Sequence, residues 1–370
     1  MSVLSSPRSL RRGLLTATVA AFAVLAAACG GGDDTATPSA SGSASSDQPS
    51  INELKIGYFP NVTHAPALVG IKEGLFAKAL GSGVTLKPSI FNAGPEASQA
   101  LLSGAIDISY IGPNPAINGF AQSNGEALRV IGGAASGGVA LVVKPEINTA
   151  ADLKGKKVAT PQLGNTQDVA LRFWLKEQGL KTDPKGGGDV KIVPQKNSVT
   201  VQSFITGDID GAWVPEPFAS QLVLKGKGKV LVDEKSLWPD NKFVITNIIV
   251  RTDFLKDHAD VVEKFLEGHL AALKAIKDDP ATAQQAFIDQ IKAITGEAPK
   301  ADVTAAAWKN IDFIADPLPA TLQTSAEHAS AIGLLDLQQF ESAGGIKKLY
   351  DLKPLNAALK AAGDPEVAQP

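Results

Sequence analysis

Six short segments of this chain carry the side chains able to hold a small polar solute, and none of them contains a lysine or an arginine. They are Phe59-Pro60-Asn61-Val62-Thr63-His64, Asn92-Ala93-Gly94-Pro95, Gly112-Pro113-Asn114-Pro115, Ala135-Ser136-Gly137-Gly138, Pro161-Gln162-Leu163-Gly164-Asn165-Thr166-Gln167 and Trp213-Val214-Pro215-Glu216-Pro217. Hydroxyls, carboxamides and glycine-rich backbone at helix starts hold an oxyanion without a cation, because first-turn N–H groups are unsatisfied and carry partial positive charge. His64 is the one titratable group of its segment and can donate to an anion or act as a neutral donor and acceptor. Glu216 points the other way: in a cleft it would repel an anion and favour an amine or amide donor, or it bonds the N–H groups of its own helix start. Trp213, Tyr58 and Phe59 can wall an apolar part of a ligand or belong to the core.

Such segments also resemble ordinary turns before helices, with Thr63 and Thr166 as N-caps and Pro113 and Pro215 as first helical residues. Their placement favours the ligand reading, because the chain repeats itself. Leu101-Leu102-Ser103-Gly104-Ala105-Ile106-Asp107-Ile108-Ser109-Tyr110-Ile111-Gly112-Pro113-Asn114-Pro115 returns, with one deletion, as Phe204-Ile205-Thr206-Gly207-Asp208-Ile209-Asp210-Gly211-Ala212-Trp213-Val214-Pro215-Glu216-Pro217. A period this long belongs to whole α/β subdomains rather than a solenoid.

The first repeat predicts strand 54–58, helix 65–80, strand 84–90, helix 95–102 and strand 106–111. The second predicts strand 157–159, helix 166–178, strand 190–193, helix 198–205 and strand 210–214. Strand and helix in alternation imply parallel pairing with right-handed crossovers. In open sheets of this kind a ligand sits outside the strand carboxyl ends, where the candidate segments fall. The apolar runs 139–143 and 244–250 are expected to be the two crossings between lobes. Lobe 1 is then 53–142 plus 245–370, and lobe 2 is 143–244 inserted within it. The helical stretch after Asp253 is expected to pack around lobe 1.

With 370 residues, 44% hydrophobic and 20% charged, the chain has material for two real cores. A net charge of -3 with four histidines gives no basic face for nucleic acid. Arg8, Arg11 and Arg12 precede an apolar stretch from Leu14 to Ala28, followed by Cys29, the only cysteine. This is the pattern of a secretory signal, residues 1–28, and the stretch is too short for a transmembrane span. Cys29 stands where a bacterial lipoprotein carries its lipid, although Ala26 replaces the preferred leucine three residues before it. Arg11-Arg12 also fits a twin-arginine signal, but Gly13-Leu14 follows it poorly. Residues 29–52 then read as a lipidated cysteine and a flexible tether holding the fold at the outer face of the membrane. Without cysteine in the mature body, disulfides, thiol chemistry and Cys-ligated zinc are excluded. The expectation is no metal and no cofactor, and no Ser/His/Asp or paired-carboxylate arrangement suggests catalysis.

Ile56-Gly57-Tyr58-Phe59-Pro60, Thr63-His64-Ala65-Pro66-Ala67-Leu68, Glu73-Gly74-Leu75-Phe76, Gly104-Ala105-Ile106-Asp107, Leu153-Lys154-Gly155-Lys156-Lys157-Val158 and Trp213-Val214-Pro215-Glu216-Pro217-Phe218 occur in this order. From about Leu54 to Pro317 the chain resembles the substrate-binding proteins of nitrate/sulfonate/taurine-type ABC importers, closest in pattern to binders of aliphatic sulfonates. The resemblance implies an α/β periplasmic-binding-protein-like fold of type II, two similar lobes joined by two crossings with the ligand cleft between them. It implies a non-enzymatic, monomeric receptor that closes on a small sulfonate, taurine or nitrate and delivers it to a membrane permease driven by an ATPase. By position, His64, Asn114, Gly164-Asn165-Thr166, Trp213 and Glu216 match the family's ligand loops. Glu216 leaves room for a zwitterion such as taurine. Asn61, Thr63, Gly94, Gly112, Ser136 and Gln162 complete the expected set. Related proteins bind a pyrimidine precursor of thiamine, the alternative ligand. A eukaryotic synthase of that precursor shares the fold but needs a cysteine cluster, where this chain has Asn114.

Overall fold

Gly-x-Ile-Asp builds the same corner in both halves of the chain. In the computed structural model, which describes residues 50–185 and 187–370, Asp107 accepts the Lys55 N–H on Oδ2 at 2.9 Å and donates its own N–H to the Lys55 carbonyl at 2.8 Å. Asp210 makes the same two bonds with Lys157, each 2.8 Å. A carboxylate that takes a backbone N–H while its own amide pairs locks the start of one strand to the start of its neighbour.

The first half runs β1 (Glu53–Tyr58), a 3-10 turn (Val62–His64), α1 (Ala65–Lys72), α2 (Leu75–Leu80), β2 (Thr85–Ile90), α3 (Gly94–Leu102), β3 (Ile108–Ile111), α4 (Pro113–Gln122) and β4 (Leu128–Gly137). The second runs β5 (Val139–Val143), β6 (Lys157–Thr160), α5 (Thr166–Glu177), β7 (Lys191–Pro194), α6 (Asn197–Thr206), β8 (Gly211–Pro215), α7 (Phe218–Leu224) and β9 (Lys229–Asp233). The chain returns through β10 (Val244–Arg251), α8 (Thr252–Asp257), α9 (Ala259–Asp278), α10 (Pro280–Thr295), α11 (Ala301–Trp308), β11 (Ile311–Phe313), α12 (Pro319–Ala331), α13 (Leu337–Ser342), α14 (Gly345–Leu349) and α15 (Lys353–Ala362).

Two sheets result, ordered β11-β4-β10-β3-β1-β2 and β7-β6-β8-β5-β9. In the first, β1 pairs parallel with β2 and β3, and β10 runs antiparallel between β3 and β4. In the second, β6 pairs parallel with β7 and β8, and β5 runs antiparallel between β8 and β9. The strand with which the chain enters lobe 2, β5, and the one with which it returns to lobe 1, β10, therefore fill the same slot in their sheets. This is a type II periplasmic-binding-protein-like architecture, with two α/β lobes and two crossings.

Three details differ from expectation. The strand 139–143 lies wholly in the second sheet, so the first crossing is at Gly137-Gly138, both at positive φ (77° and 70°), and not at residue 142. The expected helix 65–80 is two helices, because Gly74 turns the chain at φ 67°. The C-terminal helices do pack on lobe 1, with α9 on α1, α2 and α15, but α12 also meets α5 and α11 meets α7 of lobe 2. Between α5 and α12, Phe173 stacks on His328 with ring centroids 3.7 Å apart, and Lys176 Nζ donates to the Ala331 carbonyl at 2.6 Å.

The expected signal peptide and Cys29 lie outside the described residues, as does the tether up to residue 49. Its last residues are described, and Ser50 is tied down: its N–H and Oγ donate to Asp260 at 3.3 and 2.9 Å. Among the described residues no helix is long and apolar enough to cross a membrane. The amphipathic α9 shows what holds lobe 1 together. Val261, Val262, Phe265, Leu266, Ala272 and Ile276 are buried on one face, and each large side chain so buried contributes about 1.5–3 kcal/mol.

Candidate functional site

Every strand followed by a helix in the two parallel sets points its carboxyl end at the gap between lobes. There a narrow cleft with about 20 Å³ of free interior, room for about one water molecule, is lined by Phe59, Asn61, Thr63, His64, Asn92, Ala93, Gly112 and Ile245 of lobe 1. Lobe 2 supplies Asn165, Thr166, Gln167, Asn197 and Pro215.

Four helix starts converge here. Ala93 is the N-cap of α3, Gly112 of α4, Asn165 of α5 and Lys196 of α6, and in none of them does the N-cap side chain bond the first turn. Asn165 spends its amide on Gln167 Oε1 at 2.8 Å. Elsewhere in the fold Asp279 and Asp336 cap α10 and α13, while α9, α11, α12 and α15 also start without a side-chain cap. The first N–H groups of a helix have no acceptor within it, so uncapped starts facing one cleft leave donors and positive dipole ends for a guest. Side chains add to this set: Thr166 Oγ1 and Asn197 Oδ1 are buried without a partner, a costly state that a ligand would relieve.

His64 is fixed as a neutral donor. The Phe59 N–H donates to its Nδ1 at 3.3 Å, which leaves the proton on Nε2. Burial pushes the imidazolium down to about 3, since the charged form would lose its hydration. The cleft lining, among the described residues, holds no Lys, Arg, Asp or Glu. Among the described residues no group of His, Cys, Asp and Glu could hold a metal ion.

The lobes touch across the cleft. A Cβ on Gly112 would lie 2.5 Å from Thr166 Oγ1, so a side chain here would displace Thr166 where the lobes meet. A Cβ on Gly94 would lie 2.2 Å from Pro115 Cγ and 3.2 Å from Asn165 Oδ1.

Of the expected site residues, Asn61, Thr63, His64, Gly112, Asn165 and Thr166 line the cleft. The others do not. Trp213 is fully buried in the core of lobe 2 beside Trp174, and its indole N–H donates to Glu234 Oε2 at 2.6 Å, so it lies inside β8 rather than at the strand end that opens on the cleft. Asn114 turns to α12, where Nδ2 donates to the Ser325 carbonyl at 3.1 Å. Glu216 is saturated: Oε2 accepts the Ser220 N–H at 3.0 Å, and Oε1 accepts Ser220 Oγ at 2.9 Å and Asn310 Nδ2 at 2.6 Å. Its backbone carbonyl takes the Val62 N–H at 3.1 Å. It therefore caps α7 and clasps lobe 1, and burial holds its pKa above the ordinary carboxylate value despite these bonds. Gly164 gives its N–H to Asp168 Oδ2 at 3.0 Å. Gln162 Oε1 and Ser136 Oγ are buried without partners, and neither residue lines the cleft.

Asn197 and Ile245 line the cleft without having been expected. Asn197 opens α6 as Gly94 opens α3, so carrying the internal repeat through to the second strand end of lobe 2 would have found it. Ile245, an apolar residue on a crossing strand, carries no such signal.

A model of the NMT1-like family matches residues 47–288. The chain belongs to this family. Among its relatives, the taurine-binding periplasmic protein of Escherichia coli K12 is 31% identical over 207 residues, 56% of this chain and 62% of that protein. The chain thus spans less than two thirds of that relative's length. The nitrate-binding protein NrtA of Synechocystis PCC 6803 superposes with a TM-score of 0.73 at 16% identity, covering 86% of this chain and 91% of NrtA. The alkanesulfonate-binding protein SsuA of Xanthomonas axonopodis pv. citri, solved with MOPS, gives 0.63 at 21% identity, covering 78% and 95%. These structures share the fold of this family member.

Proposed function

We propose that this protein is the solute-binding component of an ABC importer and captures a small oxyanion, of the sulfonate or nitrate kind, by closing its lobes. The observation that carries this is the convergence of four uncapped helix starts, two from each lobe, on one cleft without charged side chains. An oxyanion there exchanges its water for fixed N–H donors that both lobes must supply, so binding and closure are one event. The names of its relatives agree with this reading. The remaining parts are a permease with its ATPase as partners, a monomeric receptor without catalytic activity, export by the N-terminal signal, and a lipid on Cys29 that keeps it at the outer face of the cytoplasmic membrane.

A second reading, a pyrimidine ligand, is favoured by the five carboxamides of the lining, Asn61, Asn92, Asn165, Gln167 and Asn197, which can pair with ring nitrogens and exocyclic groups. A thermal-shift panel of alkanesulfonates, taurine, nitrate, bicarbonate, sulfate and hydroxymethylpyrimidine separates the two. A ligand at about a thousand times its Kd adds about 4 kcal/mol of stability. Stabilisation by an oxyanion supports the proposal; stabilisation by the pyrimidine alone overturns it in favour of the second reading.

A further inference from the structure

We infer that the ligand's tail is uncharged, so that the site accepts a short alkanesulfonate and rejects its ω-amino counterpart. This rests on the oxyanion reading above and deepens it. An ammonium group brought into a closed cleft needs a carboxylate, or several free acceptors, in place of its water. The lining offers no carboxylate.

The two carboxylates nearest in sequence to lining residues are already committed. Glu216, next to Pro215, has both oxygens engaged by Ser220 and by Asn310 of the other lobe. Asp168, next to Gln167, accepts Thr160 Oγ1 on Oδ1, and the Gly164 N–H and Arg172 Nε on Oδ2, at 2.9, 3.0 and 2.9 Å. Freeing Glu216 for a ligand would leave Asn310 Nδ2 and the first turn of α7 without an acceptor and would undo a link between lobes. His64 presents a donor rather than an acceptor on its remaining nitrogen. Four helix starts add positive dipole ends that oppose a second positive charge. In place of an ammonium site, the cleft presents apolar wall from Phe59, Ala93, Pro215 and Ile245 to a ligand's tail. The relative from E. coli that is named for taurine shares 31% identity with this chain, so the specificity inferred here departs from that name.

Taurine and propane-1-sulfonate make the test, because they have the same number of heavy atoms and differ by an ammonium in place of a methyl group. Titration calorimetry of the purified protein should give propane-1-sulfonate an affinity about 100-fold or more above that of taurine. In Glu216→Gln both affinities should fall together and their ratio should stay the same, because the carboxylate acts on closure and not on the tail. Equal or tighter binding of taurine, or a selective loss of taurine binding in Glu216→Gln, would overturn the inference and leave the oxyanion reading standing. Binding of neither sulfonate, with hydroxymethylpyrimidine bound instead, would overturn the oxyanion reading and the inference with it.

Discussion

The third strand of each lobe and the turn that follows it are copies of one segment, Gly104–Pro115 in lobe 1 and Gly207–Pro217 in lobe 2, and the structure uses the two copies alike at one end and differently at the other. At the start, Asp107 and Asp210 hold the neighbouring strand by the same pair of hydrogen bonds. In the middle, each copy buries an aromatic residue with its polar end on a buried titratable group. The Tyr110 hydroxyl lies 2.9 Å from His269 Nδ1, and the Trp213 N–H lies 2.6 Å from Glu234. At the end they part. Gly112 leaves room for Thr166 of the other lobe and Asn114 turns to α12, whereas Pro215 walls the cleft and Glu216 clasps Asn310. The half of the repeat that builds sheet has kept its chemistry, and the half that faces the other lobe has been put to two uses.

Truncation of the paired aromatics should break this comparison hardest. Trp213→Ala is expected to cost about 3–5 kcal/mol of stability, read from denaturant titration. Tyr110→Phe, which keeps the ring and removes one hydrogen bond, should cost about 1–2 kcal/mol. A Trp213→Ala protein of unchanged stability but weakened binding would return Trp213 to the cleft. Next comes Gly112→Ala, whose new methyl group cannot coexist with Thr166 Oγ1; affinity for the oxyanion should fall about 100-fold, with the melting temperature of the ligand-free protein little changed. Pro215→Ala, at the lobe 2 position that matches the neighbouring Pro113, should have a much smaller effect on affinity.

The buried partners of the aromatics give the lobes opposite responses to pH. Burial raises Glu234 to about 7, above the ordinary carboxylate value, so its contribution is complete below about pH 4.5 and lost as pH rises through 7. Burial lowers His269 to about 4 and His64 to about 3, so theirs is complete above about pH 6.5 and lost as pH falls through those values. Glu234→Gln should therefore remove a loss of about 1.4 kcal/mol per pH unit between pH 5 and 7. If unfolding titrations show the same slope with and without Glu234, its burial as described is wrong. The smallest change belongs to Asn114→Ala, expected to cost about 1 kcal/mol of stability and less than threefold in affinity. A tenfold loss of affinity in calorimetry would place Asn114 in the site after all.

Most of the architecture was legible because it is written twice. Alternation of strand and helix, read in both copies, predicts the parallel core of each sheet, and the position of the six segments at strand ends predicts where the lobes meet. What was not legible depends on residues remote in the chain. Trp213 and Glu216 look like cleft residues until their partners are known, and these lie 21 and 94 positions away. The crossing strand 139–143 has the same apolar composition whichever sheet it joins. Nothing in the pattern of α12 foretells that it spans the gap to α5, since its buried face reads as any amphipathic helix does.

The central claim is that neutral donors from both lobes close on an oxyanion, and calorimetric titration of propane-1-sulfonate into the wild-type protein and Gly112→Ala tests it most directly. One-to-one binding to the wild type, weakened about 100-fold in the variant, is the expected result. No heat of binding with the wild type, or equal affinity in both proteins, would contradict it.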